Sequence, residues 1–419
     1  MIRKAAHLGL VGILLAGVVV AHEGNSPNGV PRLDHVFFIM MENHAFSQIV
    51  DNPNAPFANA YAKYANSATN YFAVAHPSLT NYLEVNGGSN FGVLNDNSPD
   101  WHNATCTNNL ASGVTSLDDG TFPAICPIYG VGTDAATPAI DFSNETSGPP
   151  GEINIDGVMS IPAATNIVGM TIADQLAASG RSWKSYQESL PPSGADGVNN
   201  ADGFFSNLDD LSAALPGEGQ TQSNLVALYA VKHNPFAYFQ SVQEGANPKN
   251  SLANMVDFVG SHGLYADLAS GHVPNYSFIA PNQCNDQHGR GNAGPACEFD
   301  PNDNGTQMGL NPGLIQRGDL SIQQIVTAIH HSPAWFEGRN AIVVTWDEND
   351  YSISPTTNKV LLIVDTNYGR HGLTSAKFYT HFALLKTIEA AFRLPCLNHA
   401  CDAGVNVMSD LFKGGPGDE

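Results

Sequence analysis

Two pairs of oxygen-bearing side chains, Glu42-Asn43 and Asp347-Glu348, stand out because each directly follows a continuous apolar run, Asp34 to Met41 (DHVFFIMM) and Ala341 to Trp346 (AIVVTW). Runs of this kind read as strands buried on both faces, and in an open α/β sheet ligands bind beyond the carboxyl ends of the strands. Side chains of this set brought together there would repel one another unless a cation neutralised them. An all-oxygen shell suits a hard divalent ion better than a thiolate-loving metal. Taken singly, either pair is explained as well by capping of its strand or of a following helix. Two pairs in the same setting point to a metal site.

A third segment, His76-Pro77-Ser78-Leu79-Thr80-Asn81-Tyr82-Leu83, could supply a nucleophile. Pro77 disfavours helix at His76, so the spacing predicts Ser78 as the N-cap of a helix running from Leu79 towards Val85 and ending before Gly87-Gly88. Free amides at a helix start bind phosphate or sulfate oxygens, and the same field beside a metal would favour a serine alkoxide. The plain alternative is an ordinary serine cap.

The elements that must position these residues alternate along the chain. Pro274 to Ala280 and Val360 to Val364 are further strand-like runs, while Val168 to Ser179, Leu252 to His262, Leu320 to His331 and Lys377 to Phe392 have helical spacing. This predicts an α/β fold with a mostly parallel central sheet sandwiched by helices. Residues 87–162, rich in Gly, Pro, Asn, Asp and Ser, read as an irregular disulfide-containing insertion that caps the site. In a second polar loop, Asn282 to Pro312, Asp300, Asn302, Asn304 and Gly305 fit the front of a calcium loop. Asn311 stands where a bidentate Glu is required, so a solvated turn is the favoured reading there.

Composition bounds the partners and the compartment. Of 419 residues, 17 are Lys or Arg and 39 Asp or Glu, a formal charge of −22 that excludes nucleic-acid binding by bulk electrostatics. Hydrophobic residues make up 42% and charged residues 13%, enough apolar surface for a large core. Arg3 and Lys4 precede the apolar stretch Leu8 to Val20 and a small residue at Ala21, the pattern of a signal peptide over residues 1–21. A secreted or periplasmic protein is expected, with residues 22–419 as one domain and no membrane span, the apolar stretch being shorter than the ~20 residues a bilayer needs. Six cysteines suit such a compartment. Their clustering suggests Cys106–Cys126, Cys284–Cys297 and Cys396–Cys401 among about 15 combinatorial pairings. The 15 histidines would lower the negative charge below about pH 6, consistent with an acidic optimum.

The motifs Met40-Met41-Glu42-Asn43-His44, HPSLTNYL at 76–83, Pro281-Asn282-Gln283-Cys284-Asn285-Asp286-Gln287-His288, Thr345-Trp346-Asp347-Glu348 and Tyr379-Thr380-His381 come in the order of a known family. Together the set resembles the phosphoesterase family of secreted acid phosphatases and bacterial phospholipases C, itself similar to the alkaline-phosphatase-like superfamily. The resemblance implies Ser78 as nucleophile, Asn81 as a contact to the transferred group, and Glu42, Asn43, Asp347 and Glu348 as shell of one or two divalent metal ions. It places Asp286, His288 and His381 around the active centre, for metal, phosphate or leaving group. The expected activity is hydrolysis of a small phosphate monoester through a phosphoserine, as in an acid phosphatase. A phosphodiesterase or phospholipase C on the same fold is the alternative, although His44-Ala45-Phe46-Ser47-Gln48 departs from the basic residue and Ser-Phe-Asp usual in the phospholipase branch. A sulfatase is disfavoured because residues 76–83 contain no Arg. The reading of another class is a non-catalytic, secreted calcium-binding protein in which the acidic clusters are structural.

Overall fold

The computed structural model describes residues 24–91, 93, 96, 129–130, 166–167, 169–190, 228–243, 245–289, 312–349 and 358–413. The expected signal peptide, nearly all of the 87–162 insertion, the calcium-like loop and Cys106, Cys126 and Cys297 lie outside the described residues. No helix among those described is long and apolar enough to cross a membrane.

The strands are β1 (His35–Met41), β2 (Asn66–Phe72), β3 (Tyr129–Gly130), β4 (Asn166–Ile167), β5 (Trp183–Gln187), β6 (Met255–Val256), β7 (Tyr276–Ala280), β8 (Asn340–Trp346), β9 (Lys359–Thr366), β10 (Thr374–Ser375) and β11 (Tyr379–Thr380). All but the separate β3–β4 pair form one sheet, in the order β10-β2-β9-β8-β1-β7-β5-β6 with β11 also on β2. It is mostly parallel, as expected, and among the described residues only β9 runs against its neighbours, β2 and β8. β8 is buried at every residue and β1 at every residue after His35, because these continuous apolar runs are covered on both faces.

Cover comes from α1 (Phe46–Ile49), α2 (Pro56–Tyr64), α3 (Ser78–Gly87), α4 (Ile172–Ala178), α5 (Gln240–Gln243), α6 (Leu264–Ser270), α7 (Pro312–His331) and α8 (His381–Phe392). α3 packs on α8 and α4, while α7 packs on α2 and α6. Asp319 of α7 ties α7 to α2 by accepting the Phe57 and Ala58 amides of the first turn of α2 at 2.9 and 2.7 Å. Near the carboxyl end of α8 the expected Cys396–Cys401 disulfide is present; Cys284 is also bridged, to a residue outside those described.

Three expectations need correction. The spacing over 252–262 does not make a helix: a 3-10 turn (Leu252–Asn254) leads into β6, which pairs with Ser185 and Tyr186 of β5, and α6 begins only at Leu264. Sheet pairing outweighs local periodicity there. The helix expected from 377 begins at His381, because Tyr379 and Thr380 pair with Tyr71 and Phe72 of β2. Ser78 is the first helical residue of α3 rather than its cap, a role taken by Pro77 after a cis peptide bond from His76.

Candidate active site

Register builds the centre. Met41 pairs with Trp346 in the parallel β1–β8 ladder, so the residues that follow, Glu42-Asn43 and Asp347-Glu348, emerge side by side at the carboxyl edge. The Asp347 amide donates to the Met41 carbonyl, and the Asn43 amide to Asp347 Oδ1, both at 2.9 Å. Asn43 adopts a left-handed φ of 41°, a conformation that asparagine tolerates better than most residues. β7, on the other flank of β1, leads into the segment carrying Asp286, whose carbonyl accepts the Glu42 amide at 2.9 Å.

The chain leaving β2 turns through His76-Pro77 into α3 and brings Ser78 to this edge. The hydroxyl is fully buried and lies 3.0 Å from Glu42 Oε2, 3.3 Å from Asn43 Oδ1 and 3.5 Å from Glu348 Oε1. The structure therefore gathers Ser78, Glu42, Asn43 and Glu348 around one hydroxyl, with Asp347 hydrogen-bonded to Asn43. Tyr82, one turn further along α3, donates its hydroxyl to Glu42 Oε1.

The other expected residues take more specific places. Asn81 is turned to the protein itself: its Oδ1 accepts the Val74 and Ala75 amides, and its Nδ2 donates to the Ala75 carbonyl and to Glu348 Oε2 at 3.0 Å. His381 has both ring nitrogens engaged. Nε2 meets the Asp347 carbonyl at 2.6 Å, which fixes the hydrogen there, so Nδ1 accepts from the Tyr71 hydroxyl at 2.7 Å. This pair orients Asp347 through its backbone. Asp286 Oδ1 accepts the His288 amide at 2.7 Å.

Lys232 and His233 escape the sequence reading, and His76, which begins the HPSLTNYL motif, is given no role by it. His233 stacks on Tyr82 and spans two carboxylates, with Nε2 3.2 Å from Glu42 Oε1 and Nδ1 3.3 Å from Asp286 Oδ2. Its neighbour Lys232 pairs with Asp96, Nζ to Oδ2 at 2.9 Å. His76 Nδ1 lies 2.9 Å from Glu348 Oε2. Each reaches the centre from a loop or 3-10 turn with no strand-end signature; only the adjacency of Lys232-His233 marked a polar spot within an apolar tract.

Burial dominates the electrostatics. It raises the Glu42 carboxyl well above its ordinary range, reinforced by the charge of Asp347; it raises Asp286 likewise and pushes Asp347 up to about 7. It also keeps His76 and His381 neutral, at about 3 and about 4, and holds His233 well below its usual value. For Lys232 burial likewise favours the neutral form, but the Asp96 and Glu42 charges outweigh it and keep the ammonium charged. A set of buried carboxylates that cannot all ionise unaided is the environment a bound cation relieves.

Among the described residues, no three His, Cys, Asp or Glu side chains already converge as an ion cage. The donor chemistry nonetheless fits a hard divalent ion. The shell is all oxygen, and Asp347 Oδ2 is buried with no hydrogen-bond partner among the described residues.

The fold and this edge define an α/β protein with a helix-start serine enclosed by strand-end carboxylates. The chain belongs to the Phosphoesterase family, whose pattern matches residues 50–297, more than half of it. It is 24% identical to an acid phosphatase of Aspergillus fumigatus over 81% of this chain and 51% of the relative. It is also 24% identical to the phosphate-repressible acid phosphatase of Penicillium chrysogenum, over 90% and 62% respectively. The chain thus spans about half to three-fifths of the length of these two relatives. A phosphatidylinositol-3-phosphatase of Mycobacterium tuberculosis is 21% identical over 94% of this chain and 91% of its own. Among solved structures, a protein of the alkaline phosphatase superfamily from Vibrio parahaemolyticus aligns with 91% of this chain and 72% of its own, at 11% identity and TM-score 0.43.

Proposed function

We propose that this chain is a secreted phosphoester hydrolase that cleaves phosphate monoesters through a phosphoserine at Ser78. The observation that carries the reading is the buried Ser78 hydroxyl at the start of α3, within hydrogen-bond reach of Glu42 and Asn43 and 3.5 Å from Glu348. Relatives named as acid phosphatases and as a phosphatidylinositol-3-phosphatase support monoester chemistry. The apolar stretch from Leu8 to Val20 supports export, and residues 22–419 act as one domain.

In the first step the Ser78 proton passes to the facing Glu42 carboxylate while Oγ attacks phosphorus in line. The Oγ–P bond forms as the bond to the leaving oxygen breaks, and that oxygen takes up a proton from solvent water, because His288 keeps its ring hydrogen on Nδ1 against the Gly289 carbonyl. Water then attacks the phosphoserine, releasing phosphate and restoring the hydroxyl. Glu42, Asn43, Asp347 and Glu348 would hold a divalent cation, which supplies positive charge to the developing oxyanions and favours the serine alkoxide. Tyr82 holds Glu42 on one side; His381 steadies Asp347, and Asn81 steadies Glu348.

The test is hydrolysis of p-nitrophenyl phosphate and its diester and phosphorylcholine analogues from pH 4 to 9, by wild type and Ser78→Ala, before and after chelation. Monoester turnover should fall by about 10³-fold or more in the variant and be lost on chelation. Preference for the other esters moves the reading to the phosphodiesterase branch. A wild type that cleaves none with metal restored overturns it in favour of the structural calcium-binding alternative.

A further inference from the structure

Lys232 brings positive charge into a centre otherwise crowded with carboxylates, and its surroundings resemble an occupied anion site. It lies in the 3-10 turn Val231–His233, which packs against α3. Its Nζ donates to Asp96 Oδ2 at 2.9 Å and lies 3.4 Å from His288 Nε2. The Nδ1 of His288 faces the Gly289 carbonyl at 2.8 Å; a carbonyl only accepts, so the hydrogen is on Nδ1 and the Nε2 lone pair is turned to the ammonium. The second Asp96 oxygen, Oδ1, accepts the Leu79 amide at 3.0 Å.

Leu79 follows Ser78 in the first turn of α3, where amides have no partner within the helix. One carboxylate is therefore gripped from two sides, by a helix-start amide and by a partly buried ammonium, beside the hydroxyl that would carry the phosphoryl group. Both donors are of the kind that binds phosphoryl oxygens. An incoming phosphate would otherwise face Glu42, Asp286, Asp347 and Glu348, and the charges of Glu42, Asp286 and Asp347 are already offset in part by Lys232.

Resting on the phosphoester reading above, we propose that Lys232 and the Leu79 amide form the phosphoryl-oxygen subsite beside Ser78, and that the Asp96 carboxylate fills this subsite until substrate phosphate displaces it. The exchange is of one anion for another. A monoester presents three non-bridging oxygens and close to two charges against the single charge of Asp96, so it competes well; a diester, with one charge, competes less well. The pair thus favours monoesters, and Asp96 sets a threshold that weak anions do not pass.

A merely structural ion pair is distinguished by sign. Inorganic phosphate binding is measured calorimetrically on the full chain, together with KM for p-nitrophenyl phosphate and for its diester. Asp96→Asn keeps an acceptor for the Leu79 amide but loosens the hold on Lys232, and should tighten phosphate by about 3- to 10-fold. Lys232→Met should weaken it by about 10- to 100-fold and raise KM for the monoester more than for the diester. Lys232→Arg, which keeps the charge, should stay between wild type and Lys232→Met. Weakening of phosphate by Asp96→Asn, or no change in either direction, overturns the proposal; Asp96→Asn preserves size and decides between the two even if Lys232→Met fails to fold. If wild type hydrolyses no ester, the phosphoester reading itself is lost, and the sign of the Asp96→Asn shift in phosphate binding still judges the subsite.

Discussion

Replacing Asn81 by alanine separates two roles for that residue, contact with substrate and support of the site. Its Oδ1 is the acceptor for two buried amides, Val74 at 3.1 Å and Ala75 at 3.0 Å, in the segment that carries the chain from β2 to Ser78. After truncation the Ala75 carbonyl keeps a donor in Asn358 Nδ2 at 2.8 Å, and Glu348 Oε2 keeps His76 at 2.9 Å. What is lost is the partner of the two amides. An unsatisfied buried donor costs about 1–3 kcal/mol, so Asn81→Ala should lose about 2–6 kcal/mol, a large part of the ~5–15 kcal/mol available to a typical fold. The assay is urea unfolding at pH 7 with chelator present throughout, so that a bound cation cannot stabilise one variant more than the other. Asn81→Asp retains an acceptor for both amides but sets a second carboxylate against Glu348, so it should recover the amide share while turnover stays low. A loss below about 1 kcal/mol in Asn81→Ala, with turnover abolished, would refute the reasoning and make Asn81 a substrate contact.

Two further perturbations test the frame around the site. Glu389 in α8 is buried with its pKa raised well above 4.5 by desolvation, although Oε1 accepts the Leu397 amide at 2.9 Å. A carboxyl with a raised folded pKa is at its most favourable below its unfolded value. Above that value it loses about 1.4 kcal/mol per pH unit until the folded pKa is passed. Glu389→Gln should therefore gain melting temperature over wild type as pH rises from about 4.5 to 7, and a constant difference across that range would count against the burial argument. At Gly318 of α7, an added Cβ would lie 2.1 Å from Gln287 Cγ, and Gln287 accepts the Trp346 indole at 2.7 Å between Asp286 and His288. Gly318→Ala should cost about 1–3 kcal/mol and lower turnover; wild-type values for both would show that the Gln287 side chain gives way freely.

The parts of the site legible in the sequence are those delivered by strand ends. DHVFFIMM and AIVVTW are apolar on both faces, so they declare themselves as central strands, and a single register, Met41 beside Trp346, then suffices to juxtapose Glu42-Asn43 with Asp347-Glu348. β2 and β5 escape the same reading because NSATNYF and WKSYQ carry buried polar side chains whose partners are remote in sequence. Asn66 donates to the carbonyls of Arg370 and Leu411, and Ser185 to Asn234. Periodicity has no access to such long-range satisfaction, and the same limit hides the cationic and imidazole side of the centre. Lys232 and His233 sit in a 3-10 turn whose packing on α3, not its local pattern, aims them at Glu42, Asp286 and Asp96. A negatively charged strand edge can thus be read from local pattern, while the positive charge beside it is visible only once the chain has folded back on itself.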